Sequence, residues 1–464
     1  MEREKWKTNL GFLFAAIGSA IGIGNVWRFN YILYENGGGA FFIPYIIAVL
    51  SLGVPLLITE VWSGFWARGS SPIVYKKINK WLEPIGWWTL INIFIINIYY
   101  AAIVGWFIFY TFYSFELHTV ANTESFFYNF LSTPYSAIGG VIVWIASMII
   151  LSLGVRKGLE RFSLIFVSLM WILIFILLVR ATTLPNAGYG LIKYLSFDFQ
   201  KLYDWNVWMV AFGQVAFSLS IAMGIMQVFG SYLKTKKEIV PNSLATAFAD
   251  SSFSVISAIT IFSVLGVVGL QPAEGFGLAF IIFPVAAAQL PLKELFSMWF
   301  FLTLSIAGFT SALTSFEALV AALTDRFKIS RKIVLIILGI PSITLTYLIG
   351  GNLEAIKFWD GIASTISLPL IALAECLIFG WLLGPKKIRE SLNKISRIKL
   401  NFFFDFSLKY ISPAILLILV GLGSKFITVL ELKIILSIIA SSIFIVVLRK
   451  IVKFRKKLKL SFIE

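Results

Sequence analysis

The chain is poor in the side chains on which most enzymes rely. Of its 464 residues one is a cysteine, Cys376, and one a histidine, His118. A single cysteine excludes an internal disulfide. A single histidine leaves no histidine metal cluster and no histidine proton relay. No Ser/His/Asp set, metal-ligand spacing or glycine-rich phosphate loop is present, so the sequence does not read as an enzyme. Charge is also scarce, at 13% of residues, and no Asn-x-Ser/Thr sequon occurs.

What fills the space is apolar. Hydrophobic residues make up 59% of the chain and the mean hydropathy is +0.90. Many runs reach the ~20 residues a bilayer helix needs. The pattern predicts an all-α polytopic membrane protein of twelve spans, near 10–35, 40–66, 86–114, 136–154, 162–182, 207–232, 240–270, 292–323, 333–349, 356–383, 407–425 and 432–450. The charged N-terminus, Met1 to Lys7, is followed by no cleavage site, and no signal peptide is expected.

The net charge of +16 would suit nucleic acid if it were clustered. Instead, 31 of the 39 Lys and Arg fall in loops on one side of the spans. The other 8 are Arg28, Arg180, Lys193, Lys201, Lys293, Lys357, Lys425 and Lys433. This is the positive-inside pattern. It puts both termini in the cytoplasm and makes the lipid bilayer, not nucleic acid, the partner. The basic tail from Arg449 to Lys459 reads as an orientation signal at an anionic leaflet.

One stretch is out of place. Gly18-Ser19-Ala20-Ile21-Gly22-Ile23-Gly24-Asn25 lies in the middle of the first span, although each interior glycine costs a helix about 1 kcal/mol relative to alanine. Gly18 and Gly22 also form a G-x-x-x-G pair, whose plainer reading is close helix packing. The other reading is a helix that breaks at mid-membrane, where freed carbonyls bind a cation and a half-helix N-terminus binds an anion. The sixth span repeats the anomaly at Phe217-Ser218-Leu219-Ser220-Ile221-Ala222-Met223-Gly224. Two breaks five spans apart point to a five-plus-five inverted repeat with helices 1 and 6 broken. The first repeat would be 10–182, the second 207–383, with two additional helices at 407–450, all in one transporter domain.

These residues, with Trp6, Trp27-Arg28-Phe29, Glu35-Asn36-Gly37-Gly38-Gly39-Ala40-Phe41, Tyr99-Tyr100, Lys157-Gly158-Leu159-Glu160-Arg161-Phe162, Gly213-Gln214 and Ala307-Gly308-Phe309-Thr310-Ser311, resemble the neurotransmitter:sodium symporter family, and most closely its prokaryotic amino-acid carriers. The resemblance spans at least ten helices. It implies sodium-coupled symport of a neutral, hydrophobic or aromatic amino acid by alternating access.

Site residues follow from the same resemblance. Sodium prefers hard oxygen ligands. One ion would take Ala20, Asn25, Ser218, Asp250 and the substrate carboxylate. A second would take the carbonyls of Gly18, Ile21 and Ala307 with the hydroxyls of Thr310 and Ser311, although these hydroxyls could instead bond back within their own helix. Asp250 stands where the family usually has asparagine. An acid there costs about 2.5–3.5 kcal/mol on insertion scales, and sodium is its natural partner; a pairing with the Gln214 amide or a water is the alternative. Chloride-dependent relatives hold an anion with a set that here reads Tyr45, Gln214, Ser218 and Ser254. The resemblance implies that Asp250 replaces that charge, so no chloride requirement is expected. The substrate amino group would meet Ala20, Phe217 and Ser218, with Ser220 nearby. The carboxylate would meet the amides of Ile23 and Gly24 and the Tyr100 hydroxyl. The side-chain pocket would comprise Ile96, Phe217, Met223, Ser311 and Ser315. Gly22, where monoamine carriers place an aspartate, favours a substrate that brings its own carboxylate.

The expected inner gate is Arg3 with Asp325, flanked by Trp6 and Tyr232. The outer gate is Arg28, whose family partner position reads Lys357; Glu354 or Asp360 lies one turn away. The missing sequons and short outer loops favour a prokaryotic plasma membrane, and the protein is expected as a monomer or homodimer. Competing readings are a sodium-coupled carrier of another small solute with this fold, and a transport-dead amino-acid sensor.

Overall fold

The computed structural model describes residues 3–272, 275–424 and 432–436. Among the described residues nine unbroken helices are long and apolar enough to cross a bilayer. The pair Asn9–Ala20 and Ile23–Glu35, bent by 65°, makes a tenth span. Another lies in the two pieces Trp205–Ser218 and Ile225–Ser231, parted by six residues that are not helical. Eleven of the twelve expected spans therefore have counterparts, and the breaks fall in the first and the sixth. The twelfth, 432–450, lies outside the described residues apart from 432–436.

Several spans carry proline where a regular helix could not. Pro55, Pro284, Pro369 and Pro413 each follow closely on a widened π turn, at Val49–Gly53, Leu278–Ile282, Gly361–Ser367 and Ser407–Ile411. Proline has no N–H to donate and its ring collides with the carbonyl four residues back. Widening the preceding turn lets the helix run on.

The third span, Lys80–Tyr113, and the eighth, Lys293–Phe327, pack along each other at the centre of the molecule. The first span crosses beside them. Beside the first and third spans, the short apolar helix Leu278–Ala288 and Phe276 build an aromatic cluster. Phe276 meets Trp27 edge-on at 4.7 Å, and Phe280 stacks on Phe107 at 4.5 Å.

Candidate functional site

The break in the first span is held open by side chains. Its helix stops at Ala20, and Ile21 and Gly22 take extended backbone. The orphan groups at the break need partners, since lipid offers none. Gly22 N–H donates to Asn25 Oδ1 at 2.9 Å. Ile23 N–H donates to the Tyr100 hydroxyl at 3.3 Å, and Tyr100 is hydrogen-bonded to Ser311. Ser311 Oγ and Ser220 Oγ both donate to the carbonyl of Ser19, at 3.3 and 2.9 Å. The third, sixth and eighth spans thus clamp both ends of the break. A Cβ on Gly22 would stand 2.9 Å from the Tyr100 hydroxyl, so a side chain there would displace Tyr100.

The break in the sixth span uses strained backbone. Ser220 and Ala222 lie in the left-handed region at φ +54° and +61°, which L-residues visit at a cost of about 1–2 kcal/mol. The Ala222 amide is fixed by Glu60 Oε1 of the second span at 2.6 Å.

Around the two breaks an oxygen-rich centre forms. Asn25 Nδ2 donates to Asp250 Oδ1 at 2.7 Å and also lies 3.1 Å from Ser218 Oγ and 2.9 Å from Ser254 Oγ. Ser218 Oγ reaches both carboxylate oxygens of Asp250, at 2.7 and 2.8 Å. Asp250 is 1% exposed and forms no salt bridge among the described residues, so its charge is balanced only by neutral donors. The Asp250 carboxylate and the Ser218 hydroxyl oxygen are hard ligands of the kind a sodium ion takes, while Asn25 turns its amide N–H toward them and spends its Oδ1 on Gly22. Tyr45 and Ser254 sit beside it, with the Tyr45 hydroxyl 3.3 Å from Ser251 Oγ.

The second expected ion set is also gathered. A Cβ on Gly18 would lie 3.5 Å from Thr310 Oγ1. Thr310 Oγ1 donates to the carbonyls of Ile306 and Ala307, both at 3.0 Å. Its proton is used within its own helix while its lone pairs stay available. Ile21, Ala307 and Thr310 are fully buried.

Between the breaks lies a small cavity of about 30 Å³. Every expected substrate residue except Ile23 lines it: Ala20, Gly24, Ile96, Tyr100, Phe217, Ser218, Ser220, Met223, Ser311 and Ser315. Ile23 contributes the amide that binds Tyr100. The lining carries no charged side chain.

Inward of the cavity the expected gate is assembled. Arg3 pairs with Asp325, donates to Ser231 Oγ through Nε at 3.0 Å and lies over the Tyr232 ring at 5.0 Å. Trp6, 2% exposed, donates its indole N–H to the Phe229 carbonyl at 3.0 Å.

A model of the sodium:neurotransmitter symporter family matches residues 3–129 and 137–441. The chain belongs to that family. Members of it are transporters, and this is a multi-pass membrane protein of the sodium-dependent kind. An uncharacterised sodium-dependent transporter of Methanocaldococcus jannaschii is 39% identical over 448 residues, 92% of this chain and 91% of that one. The sodium- and chloride-dependent GABA transporter 2 of Rattus norvegicus is 29% identical, over 90% of this chain and 79% of that one. The crystal structure of MhsT in complex with L-phenylalanine matches with a TM-score of 0.81 at 30% identity, covering 91% of this chain and all of that one.

Set against this symporter fold, the outer gate departs from expectation. Lys357 is exposed and pairs with Glu354 at 3.0 Å, so neither serves Arg28. Arg28 lies over the Phe217 ring at 5.6 Å and in the field of Asp360. Asp360 accepts from the Tyr99 hydroxyl at 2.7 Å. Of the two acids near Lys357, Asp360 is the one near Arg28. Sequence reasoning missed other members. Ser19, Ile93 and Asn97 also line the cavity. Glu317 and Arg331 extend the inner gate: fully buried Glu317 pairs with Arg331 and accepts from the Tyr232 hydroxyl at 2.7 Å. A buried acid in the eighth span was the only signal for them.

Proposed function

We propose that this symporter carries a neutral, hydrophobic or aromatic amino acid into the cell together with sodium, by alternating access. The observation that carries the reading is the uncharged cavity between two helix breaks. A net-charged substrate would find no counter-charge there. A zwitterion meets freed carbonyls at one end and amides with Tyr100 at the other, and Ile96, Phe217 and Met223 offer its side chain an apolar wall. The likeness to MhsT, whose structure holds L-phenylalanine, supports this.

In this reading two sodium ions bind. Ala20, Asn25, Ser218 and Asp250 hold one; Gly18, Ile21, Ala307, Thr310 and Ser311 hold the other. Residues 10–182 and 207–383 act as the two repeats, both termini face the cytoplasm, and the membrane is a prokaryotic plasma membrane. Asp250 supplies the charge that chloride gives other members. Two unit charges 4 Å apart interact by about 4 kcal/mol at an effective dielectric near 20, so an added anion is repelled. Uptake by the wild type should ignore replacement of chloride by gluconate, and Asp250→Asn should make it chloride-dependent. An indifferent variant, or a chloride-requiring wild type, rejects this role.

The deciding experiment is a thermal-shift screen of the amino acids, with GABA and taurine, in sodium and in potassium. A ligand at a hundredfold excess over Kd stabilises by about 2.7 kcal/mol. Phenylalanine, leucine or their like should raise Tm in sodium alone. Equal shifts in potassium, or shifts by GABA or taurine alone, would overturn the proposal. Concentrative sodium-driven uptake into vesicles then separates a carrier from a sensor.

A further inference from the structure

The cavity between the breaks has a polar lining whose hydroxyl protons are already engaged. Ser220 and Ser311 donate to the Ser19 carbonyl, Ser218 donates to Asp250, and Ser315 donates to the Ser311 carbonyl at 2.8 Å. Tyr100 is bonded to Ser311. Two lining residues differ. The side-chain oxygens of Gln214 and Asn97 are buried and accept no hydrogen bond among the described residues. Gln214 stands one turn before Ser218 on the helix Trp205–Ser218, on the side of the ion residues. Asn97 stands on the third span, on the face that brings Ile93, Ile96 and Tyr100 to the cavity.

Asn97 is 2% exposed, and its amide has one possible orientation. Nδ2 donates to the carbonyl of Ala312 on the eighth span at 3.3 Å. A carbonyl only accepts, so the N–H side faces that helix and Oδ1 is the end left over. Ser315, three residues after Ala312 on the same helix, spends its proton on Ser311 and can also only accept. A buried carbonyl without a donor is costly, and the cost falls on a ligand that fails to supply one. We infer that Asn97 is a specificity-determining residue, and that the cargo is a neutral amino acid whose side chain carries an O–H or N–H for Asn97 Oδ1 to accept. This rests on the amino-acid reading above and narrows it, placing tyrosine, tryptophan or threonine ahead of phenylalanine or valine. Hydrocarbon side chains still bind, at the cost of leaving Oδ1 without a donor. An amide that only tied the third span to the eighth would need Nδ2 and no acceptor.

Dissociation constants for matched pairs, measured on the full-length protein in detergent and sodium, test the inference. The pairs are tyrosine with phenylalanine, threonine with valine, and tryptophan with 1-methyltryptophan. In the pair that binds best, the member with the donor should bind about tenfold tighter, as one buried hydrogen bond made or left unmade allows. Asn97→Leu keeps the volume and removes the acceptor, and should erase that preference while the member without the donor binds at least as tightly as before. Asn97→Ala takes its place if the leucine variant lacks a cooperative melt, and the wild-type ratios decide if neither variant folds. A merely structural amide would lower Tm and weaken both members alike. Equal or reversed affinities in the wild type, or a preference that survives the substitution, would overturn the inference and leave the amino-acid reading standing. If no amino acid binds in sodium, that reading fails and the inference with it.

Discussion

On the reading proposed above, the two gates are built from different chemistry. The inner one is ionic and continuous: Arg3 with Asp325 and Ser231, then Tyr232 with Glu317, then Glu317 with Arg331. The outer one is aromatic and thin. Arg28 rests on Phe217, Trp27 meets Phe276, and the nearest acid, Asp360, is bound by Tyr99. No ion pair between Arg28 and Asp360 closes it among the described residues. Ion pairs with little water around them are hard to break one at a time, because each leaves an uncompensated charge. Aromatic contacts slide at lower cost. If the termini face the cytoplasm as proposed, the molecule is sealed more firmly inward than outward.

Four substitutions would break or sharpen that contrast. The largest effect should come from Arg331→Leu, which strands the buried Glu317 carboxylate. Losing one partner of a buried pair costs about 3–5 kcal/mol, to be read as a lower Tm. A Tm within error of wild type would mean that Glu317 is held by Tyr232 alone. Next is Arg3→Ala. Arg3 and Asp325 are 17% and 19% exposed, so the cost belongs near the low end of the range for hydrogen-bonded charge pairs, about 2 kcal/mol. That is about a thirtyfold shift toward inward-open molecules. Amide hydrogen exchange should quicken over residues 6–12 and not over 28–35; equal change at both would show that the gates are not independent.

Smaller effects are expected outside. Phe217→Ala removes the ring under Arg28, a contact worth about 0.5–2 kcal/mol, along with part of the cavity wall. Substrate affinity should fall about tenfold while Tm without substrate changes little. A variant that binds as tightly as wild type would place the outer seal elsewhere. Smallest is Lys357→Ala. Lys357 and Glu354 form an exposed pair, and such pairs contribute little. Uptake should be unchanged, and a clear loss would return Lys357 to the gate.

The fold was largely legible from sequence, for a specific reason. Glycine, serine and asparagine inside an apolar run are anomalous, so Gly18 to Asn25 announced its own break. The pocket followed from the same stretch and its counterpart at Phe217 to Gly224. What stayed hidden depended on partners in space. Glu317 and Glu60 each read as one acid in an apolar span, and nothing in the chain says which helix faces them. The outer acid was hidden in the same way. Glu354, Lys357 and Asp360 share one regular helix, Leu353–Asp360, so counting names both acids and only contacts in space separate them. Thr310 kept both of its readings, since its hydroxyl bonds within its own helix and still lies beside Gly18.

The left-handed residues of the sixth span have a consequence for how this sequence can change. Ser220 and Ala222 hold backbone angles that glycine would adopt freely. Replacing Ala222 by glycine relieves strain in the native state, but it also enlarges the set of unfolded conformations. The gain in ease is offset by a loss of definition. A glycine variant could therefore leave the melting temperature almost untouched while broadening the range of side chains the cavity accepts. Substrate range in this protein would then be adjustable at a main-chain hinge next to Met223, without changing a side chain that lines the cavity.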